Sequence, residues 1–181
     1  MLGDGVLLAS RFWASWYTST CMSVSPEQVV SEICSRLPGV VAKASWGETS
    51  LFYNPDRKLP NGVYFCTIKE HDGDNDRSSR LNRDGVFRLS IGLNPRTYIG
   101  LFGPKPSRPA KGGIISTGHQ FDKLDELMPH PIYGWMAWAQ VLCPSRSTWE
   151  TLVPLIDESY AMAVSKFEKR LAQSNSSLRT K

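Results

Sequence analysis

Between Val40 and Gly92 the chain offers four short extended segments, at residues 40–44, 49–53, 63–68 and 86–92. Trp46-Gly47 turns the first into the second, and the clusters Asn54-Pro55-Asp56 and Leu59-Pro60-Asn61-Gly62 precede the third. Proline, glycine, asparagine and aspartate in such clusters reverse the chain. The short turns between the first three segments leave no room for a crossover, and residues 69–80, too polar for a strand, read as a long loop before the fourth, so the expected arrangement is an antiparallel meander. Residues 86–92 carry the clearest alternation. Phe87, Leu89 and Ile91 point one way, and Val86, Arg88 and Ser90 the other. A cation in the middle of a strand must snorkel, pair or face a cavity, so Arg88 is the most informative single placement.

Helix signals flank this run. Ser25-Pro26-Glu27-Gln28 reads as a capping box with proline at the first helical position, and Val29, Val30, Ile33 and Leu37 follow at helical spacing. Asn94-Pro95 opens a short helix that Gly103-Pro104 closes. Residues 105–118 are rich in proline, glycine and serine and read as an irregular connection. Residues 121–127 suggest another short helix, and Met128-Pro129-His130-Pro131 is extended because of its prolines. A fifth strand is expected at 135–142. Ser147-Thr148-Trp149-Glu150 reads as a second capping box, and the helix behind it carries Trp149, Leu152, Ile156, Tyr160, Ala163 and Phe167 on one face.

The fold class is therefore α+β, a mostly antiparallel five-stranded sheet with helices packed on one face. Residues 22–172 form one domain, large enough for a real core. Residues 1–21 read as an N-terminal extension without order of its own, and 173–181 as a disordered polar tail.

The bulk numbers exclude more than they suggest. A net charge of +4 with lysine and arginine spread along the 181 residues demands no polyanion. No apolar run approaches the roughly 20 residues that span a bilayer, so no membrane association is expected. The four cysteines form no CxxC pair and fit free thiols in a reducing, cytoplasmic setting. There is no Walker loop, dinucleotide fingerprint or nucleophile elbow, and no cofactor is implied. Asp72-Gly73-Asp74-Asn75-Asp76 imitates the start of a calcium loop, but Arg77 and Arg83 stand where the required glycine and glutamate belong, so no metal site is expected.

Several stretches carry a resemblance. They include Leu37-Pro38-Gly39-Val40, Leu59-Pro60-Asn61-Gly62-Val63-Tyr64-Phe65, Leu81-Asn82-Arg83, Phe87-Arg88-Leu89-Ser90-Ile91-Gly92 and Leu127-Met128-Pro129-His130-Pro131. Together they resemble a family of short bacterial and fungal proteins catalogued as domain of unknown function 6194. The ending also resembles the YjbR-like group, through its Pro-His-Pro lead, its tryptophan-bearing strand and a helix with Ser159-Tyr160. That likeness implies helices on an antiparallel sheet and assigns no activity.

The candidate site lies on the polar face of the sheet. Arg88, Ser90 and Lys69 are expected to line it, with Trp46 and Trp138 flanking and Arg77 from the acidic loop nearby. Such a face suits an anionic or carbonyl-bearing small molecule, because arginine grips planar oxyanions through two donors. His130 and Lys69 are the candidates for proton transfer, should the site belong to a cofactor-free enzyme rather than a binding module. The bland reading is that Arg88 pairs with Asp72, Asp76 or Glu48, and that His130 is a packed, hydrogen-bonded residue. The alternatives are a nucleic-acid binder using Arg77, Arg80, Arg83 and Arg88, disfavoured by the intervening aspartates, and a protein–protein adaptor.

Overall fold

The structure is a computed structural model that describes residues 23–45 and 47–179, with side chains as far as residue 174. The expected extension at 1–21 and the candidate Trp46 lie outside the described residues.

Helix α1 (Pro26–Arg36) begins as its sequence requires. Ser25 Oγ accepts from the Gln28 N–H at 3.2 Å, and Gln28 Oε1 accepts from the Ser25 N–H at 2.9 Å. Strands β1 (Val40–Ser45), β2 (Glu48–Tyr53), β3 (Val63–Lys69) and β4 (Arg88–Gly92) follow. Helix α2 (Pro95–Phe102) is capped by Asn94, whose Oδ1 accepts from the Arg96 N–H at 2.9 Å. Strands β5 (Met128–Pro129) and β6 (Trp138–Leu142) precede the closing helix α3 (Arg146–Arg179). That helix runs past residue 173, where the sequence suggests a polar tail. The hydroxyl that caps it belongs to Ser145, which accepts from the Thr148 N–H at 3.2 Å, two residues before the expected Ser147.

The described residues form one sheet of six strands in the order β1-β2-β3-β4-β6-β5, every neighbouring pair antiparallel. The fold class is thus α+β as expected, with one strand more than the five read from the sequence. The added strand is Met128–Pro129. Pro129 holds Met128 extended, and an edge strand tolerates proline because its missing N–H leaves no ladder bond unmade. The helix expected at 121–127 does not form. Asp125 sits at a positive φ of 56°, donates its N–H to Leu142 O at 2.7 Å and accepts the Ser145 N–H, so tertiary ties hold this stretch as turns.

One face of the sheet is apolar. Leu51, Cys66, Ile68, Leu89, Ile91 and Val141 are buried there against Val29 and Ile33 of α1 and Trp149, Leu152 and Ile156 of α3. The helices are pinned to each other by Arg146–Glu32 (2.6 Å), by the Trp149 indole on Glu32 (2.7 Å) and by Arg36–Asp157. The opposite face is polar and is covered by loops instead. Ile115, Phe121 and Met128, with Trp135 against them, form a small separate cluster that fastens the covering segments.

A bulge in β3 decides which side chains reach the polar face. Leu51 pairs with Cys66 but Phe52 pairs with Tyr64, so Phe65 is an extra residue in the ladder. Strict alternation along residues 63–69 would place Val63, Phe65, Thr67 and Lys69 on one face. The bulge corrects this: Val63 and Phe65 turn into the helical core, while Tyr64 joins Thr67 and Lys69. Ser159 on α3 secures the bulge: its one hydroxyl proton is shared between the carbonyls of Phe65 (2.9 Å) and Gly92 (2.5 Å).

Candidate functional site

Strand register arranges the polar face as three rows, because paired residues on adjacent strands share a face. Glu48, Lys69 and Arg88 pair across β2, β3 and β4. Two residues along each strand, Ser50, Thr67 and Ser90 pair in the same way, and Gln140 of β6 continues the row. Beyond them Phe52 pairs with Tyr64, and Trp138 pairs with Gly92. The rings of Phe52 and Tyr64 meet edge-on at 5.9 Å, and those of Tyr64 and Trp138 lie 5.5 Å apart. Gly92 lets the Trp138 ring lie close over the strand: a Cβ at that position would stand 3.1 Å from the ring, which would have to shift by a few tenths of an ångström.

Above these rows is a cavity of about 1020 Å³. Its roof comes from residues 108–113 and 132–136, and the hairpin at 73–76 closes one side. Tyr64, Tyr133 and Met136 line it while remaining about half exposed, so its rim is apolar. Arg108 stacks over Trp135 at 4.9 Å within the roof.

The charged row is tied by Asp76. Gly73 and Asp76 exchange N–H···O bonds at 3.1 Å, which folds the acidic loop back onto the sheet. Asp76 then accepts from both terminal nitrogens of Arg88, at 2.9 and 2.5 Å, and from Lys69 Nζ at 2.8 Å. Burial alone pushes the Asp76 carboxyl up. The hydrogen bonds and charge of Arg88, then those of Lys69, outweigh it and hold the group well below the usual carboxylate range. Arg88 also donates to Ser79 Oγ at 3.2 Å, Ser79 donates to Gln140 at 3.0 Å, and Gln140 donates to Phe121 O at 2.9 Å. A buried polar chain therefore runs from Arg88 on the cavity floor through Ser79 and Gln140 to the covering segment at Phe121.

Two buried atoms beneath the cavity have no hydrogen-bond partner among the described residues, Ser90 Oγ and Arg88 Nε. Both residues line the cavity, each 1% exposed. Buried polar atoms are nearly always paired, which sets these two apart; Tyr98 Oη, outside the cavity lining, is the third such atom among the described residues.

His130, 2% exposed, also lines the cavity. Its Nδ1 accepts the N–H of Ile132 at 3.1 Å and of Tyr133 at 3.2 Å. Two donors on one nitrogen require its lone pair, which puts the proton of the neutral ring on Nε2. Burial, then the charge of Arg88, pushes the imidazole well below its ordinary value, with Lys69 adding and Asp76 opposing. The geometry makes His130 a neutral donor and removes its role as a base, since Nδ1 is occupied and Nε2 carries the proton.

Glu48 was considered in the sequence only as a partner for Arg88, yet it lines the cavity with no hydrogen bond among the described residues. Burial raises its carboxyl, Lys69 and Arg88 oppose, and Asp76 adds to the rise. The folded chain thus holds this proton more tightly than the unfolded one, and the ionised carboxylate opposes folding at neutral pH. Glu48→Gln is expected to gain roughly 0.5–1 kcal/mol of stability at pH 7, as relief of a functional charge commonly does. Chemical denaturation of the two proteins side by side checks this, and a loss of stability would contradict it.

The structure therefore brings Lys69, Arg88, Ser90, His130 and Trp138 to one cavity. It does not bring Arg77, which is exposed, lies outside the cavity lining and reaches only Asp74, at 3.9 Å. The other arginines of the loop are engaged. Arg80 meets Asp122 at 3.2 Å, and Arg83 donates to the carbonyls of Arg80, Ser79 and Asp122. No group of three or more His, Cys, Asp or Glu among the described residues is placed to hold a metal ion. Among the same residues no helix is long and apolar enough to cross a membrane.

Residues 22–172 match the model of a family described as Family of unknown function (DUF6194). The chain belongs to that family. The match spans every strand of the sheet and most of α3, so the cavity lies wholly within the DUF6194 domain. No curated protein and no solved structure matches the chain, and the YjbR-like likeness rests on the sequence alone.

Proposed function

We propose that this DUF6194 domain binds a small molecule bearing an anionic or carbonyl group in the cavity on the polar face of its sheet. The observation that carries this reading is the convergence of unpartnered or donor-only polar atoms at the floor. Ser90 Oγ, Arg88 Nε and His130 Nε2–H lie under one cavity with an aromatic wall. A largely apolar pocket with a few convergent polar groups is the usual form of a ligand site. Donors without matching acceptors suit an oxygen that only accepts. Lys43, Lys111 and Arg108 line the same space with no carboxylate partner among the described residues, which favours negative charge.

His130 Nε2–H and Lys69 Nζ are the groups a cofactor-free proton transfer would use; as a binding module the domain needs them only as donors. The nucleic-acid alternative is less favoured, because Arg80, Arg83 and Arg88 are committed to internal partners. Free Cys34, Cys66 and Cys143 fit a reducing compartment such as the cytoplasm.

The test is tryptophan fluorescence and melting temperature of the wild type and Ser90→Ala against a panel of organic acids and ketones. Ser90→Ala removes an unpaired buried hydroxyl, so it should melt no lower than wild type. It should bind the responding compound about tenfold more weakly. A panel without response, or an unchanged response in Ser90→Ala, would count against the cavity as the site.

A further inference from the structure

The three rows of the cavity floor differ in chemistry in a fixed order. Phe52, Tyr64 and Trp138 make an aromatic end. Ser50, Thr67 and Ser90 make a middle of hydroxyls, all buried. Lys69 and Arg88, with Glu48 beside them, make the charged end. Four residues of strand separate the outer rows, which is about 13 Å at the rise of an extended chain.

The geometry points to a nucleoside monophosphate as the ligand, its base on the aromatic row, its ribose over the hydroxyls and its phosphate at the charged end. This rests on the proposal that the cavity is a ligand site, and it fixes the class of molecule. An aromatic face receives any base by stacking. A row of hydroxyls, with Ser90 Oγ lacking a partner, suits a ligand whose middle carries hydroxyls that both donate and accept. A simple aryl acid would leave that row unmatched.

The charged end places the phosphate further. Glu48 bounds it on β2 and repels an anion there, so the phosphate belongs toward β4. On that side Arg88 Nε is unpartnered, and Lys69 shares its carboxylate with Arg88. Within the row Asp76 and Glu48 balance Lys69 and Arg88, so the positive charge left for a phosphate is that of the cavity-lining Lys43, Arg108 and Lys111, none of which has a carboxylate partner among the described residues. The roof adds Lys111, whose neighbour Gly112 would place a Cβ 3.7 Å from Asn75 Oδ1, so this loop lies against the hairpin that carries Asp76.

The experiment titrates the full chain with AMP, GMP, CMP and UMP separately, reading tryptophan fluorescence and melting temperature. Adenosine, ribose 5-phosphate and 2-naphthoate serve as comparison probes. At least one monophosphate should quench fluorescence and raise the melting temperature. The matching nucleoside and ribose 5-phosphate should each bind at least about tenfold more weakly. Lys111→Ala, an exposed loop change that leaves the core untouched, should weaken the monophosphate severalfold and leave the nucleoside unchanged. If 2-naphthoate binds and no monophosphate does, the nucleotide assignment is wrong while the cavity remains a ligand site. If no probe binds, the nucleotide assignment falls, and the response to the organic acids and ketones decides whether the cavity is a ligand site. A monophosphate that binds equally well to Lys111→Ala overturns the placement of the phosphate.

Discussion

Asp76→Ala is expected to destabilise the domain by about 3–5 kcal/mol, because it strands the buried Arg88 and the partly buried Lys69 at once. Arg88 is 1% exposed and gives Asp76 both terminal nitrogens, and Lys69 adds a third bond. In a chain of this size such a loss lowers the melting temperature by on the order of 10 °C. Arg88→Met should cost less, since Asp76 keeps Lys69 and Ser79 keeps Gln140. Lys69→Met should cost least, because the paired bonds to Arg88 survive. Thermal denaturation of the three variants checks the ranking. An Arg88→Met protein as stable as wild type would mean that the guanidinium is strained in the free domain and is held for a ligand, and the ion pair would lose its structural role. The two readings of Arg88 drawn from the sequence are not exclusive. Its terminal nitrogens serve the ion pair, and its Nε stays free beneath the cavity.

The parts of the fold legible in the sequence are those set by short-range chemistry. The caps at Ser25 and Asn94 depend on residues within three positions, and both form as read. Alternation around Arg88 placed that residue and Ser90 on one side of β4, because the period of a strand is local. What escaped depends on partners far away in the chain. The bulge at Phe65 appears only when β3 is laid against β2, and it alone brings Tyr64 to the cavity. Strand β5 is two residues long, too short to show a pattern, and exists because β6 offers it an edge. Asp76 stood among three candidate partners of Arg88. Its selection needs the turn at 73–76, which the sequence marks only as a polar loop. Glu48 carried a usable signal, since it opens β2 directly after the Trp46-Gly47 turn and falls in line with Lys69 once the hairpin register is drawn.

His130→Ala is expected to cost about 2–4 kcal/mol, from two backbone N–H groups left without an acceptor and the cavity the ring leaves behind. The N–H groups are those of Ile132 and Tyr133, so the loss falls on the segment that roofs the site. His130→Asn should cost far less, because Oδ1 of asparagine can take the place of Nδ1 for both donors. The pair of variants separates the ring's structural bonds from its outward Nε2–H: His130→Asn should fold normally and still lose ligand response. Acidity gives a second handle. The ring is held neutral in the fold, by burial and then by Arg88 and Lys69 against the opposing charge of Asp76. An unfolded histidine takes its proton near 6.5, so below that pH the unfolded chain binds more protons than the native one. The stability associated with the neutral ring is whole above pH 6.5 and declines as the solution is acidified. Asp76 contributes in the same sense, but only below its ordinary carboxylate value of 3.8. Unfolding measured between pH 7.5 and 5 therefore reads the histidine and not the aspartate. Wild type should lose stability across that window by more than His130→Asn does. Parallel curves for the two proteins would show that the ring protonates freely in the fold, and the neutral donor assigned to the cavity would have to be abandoned.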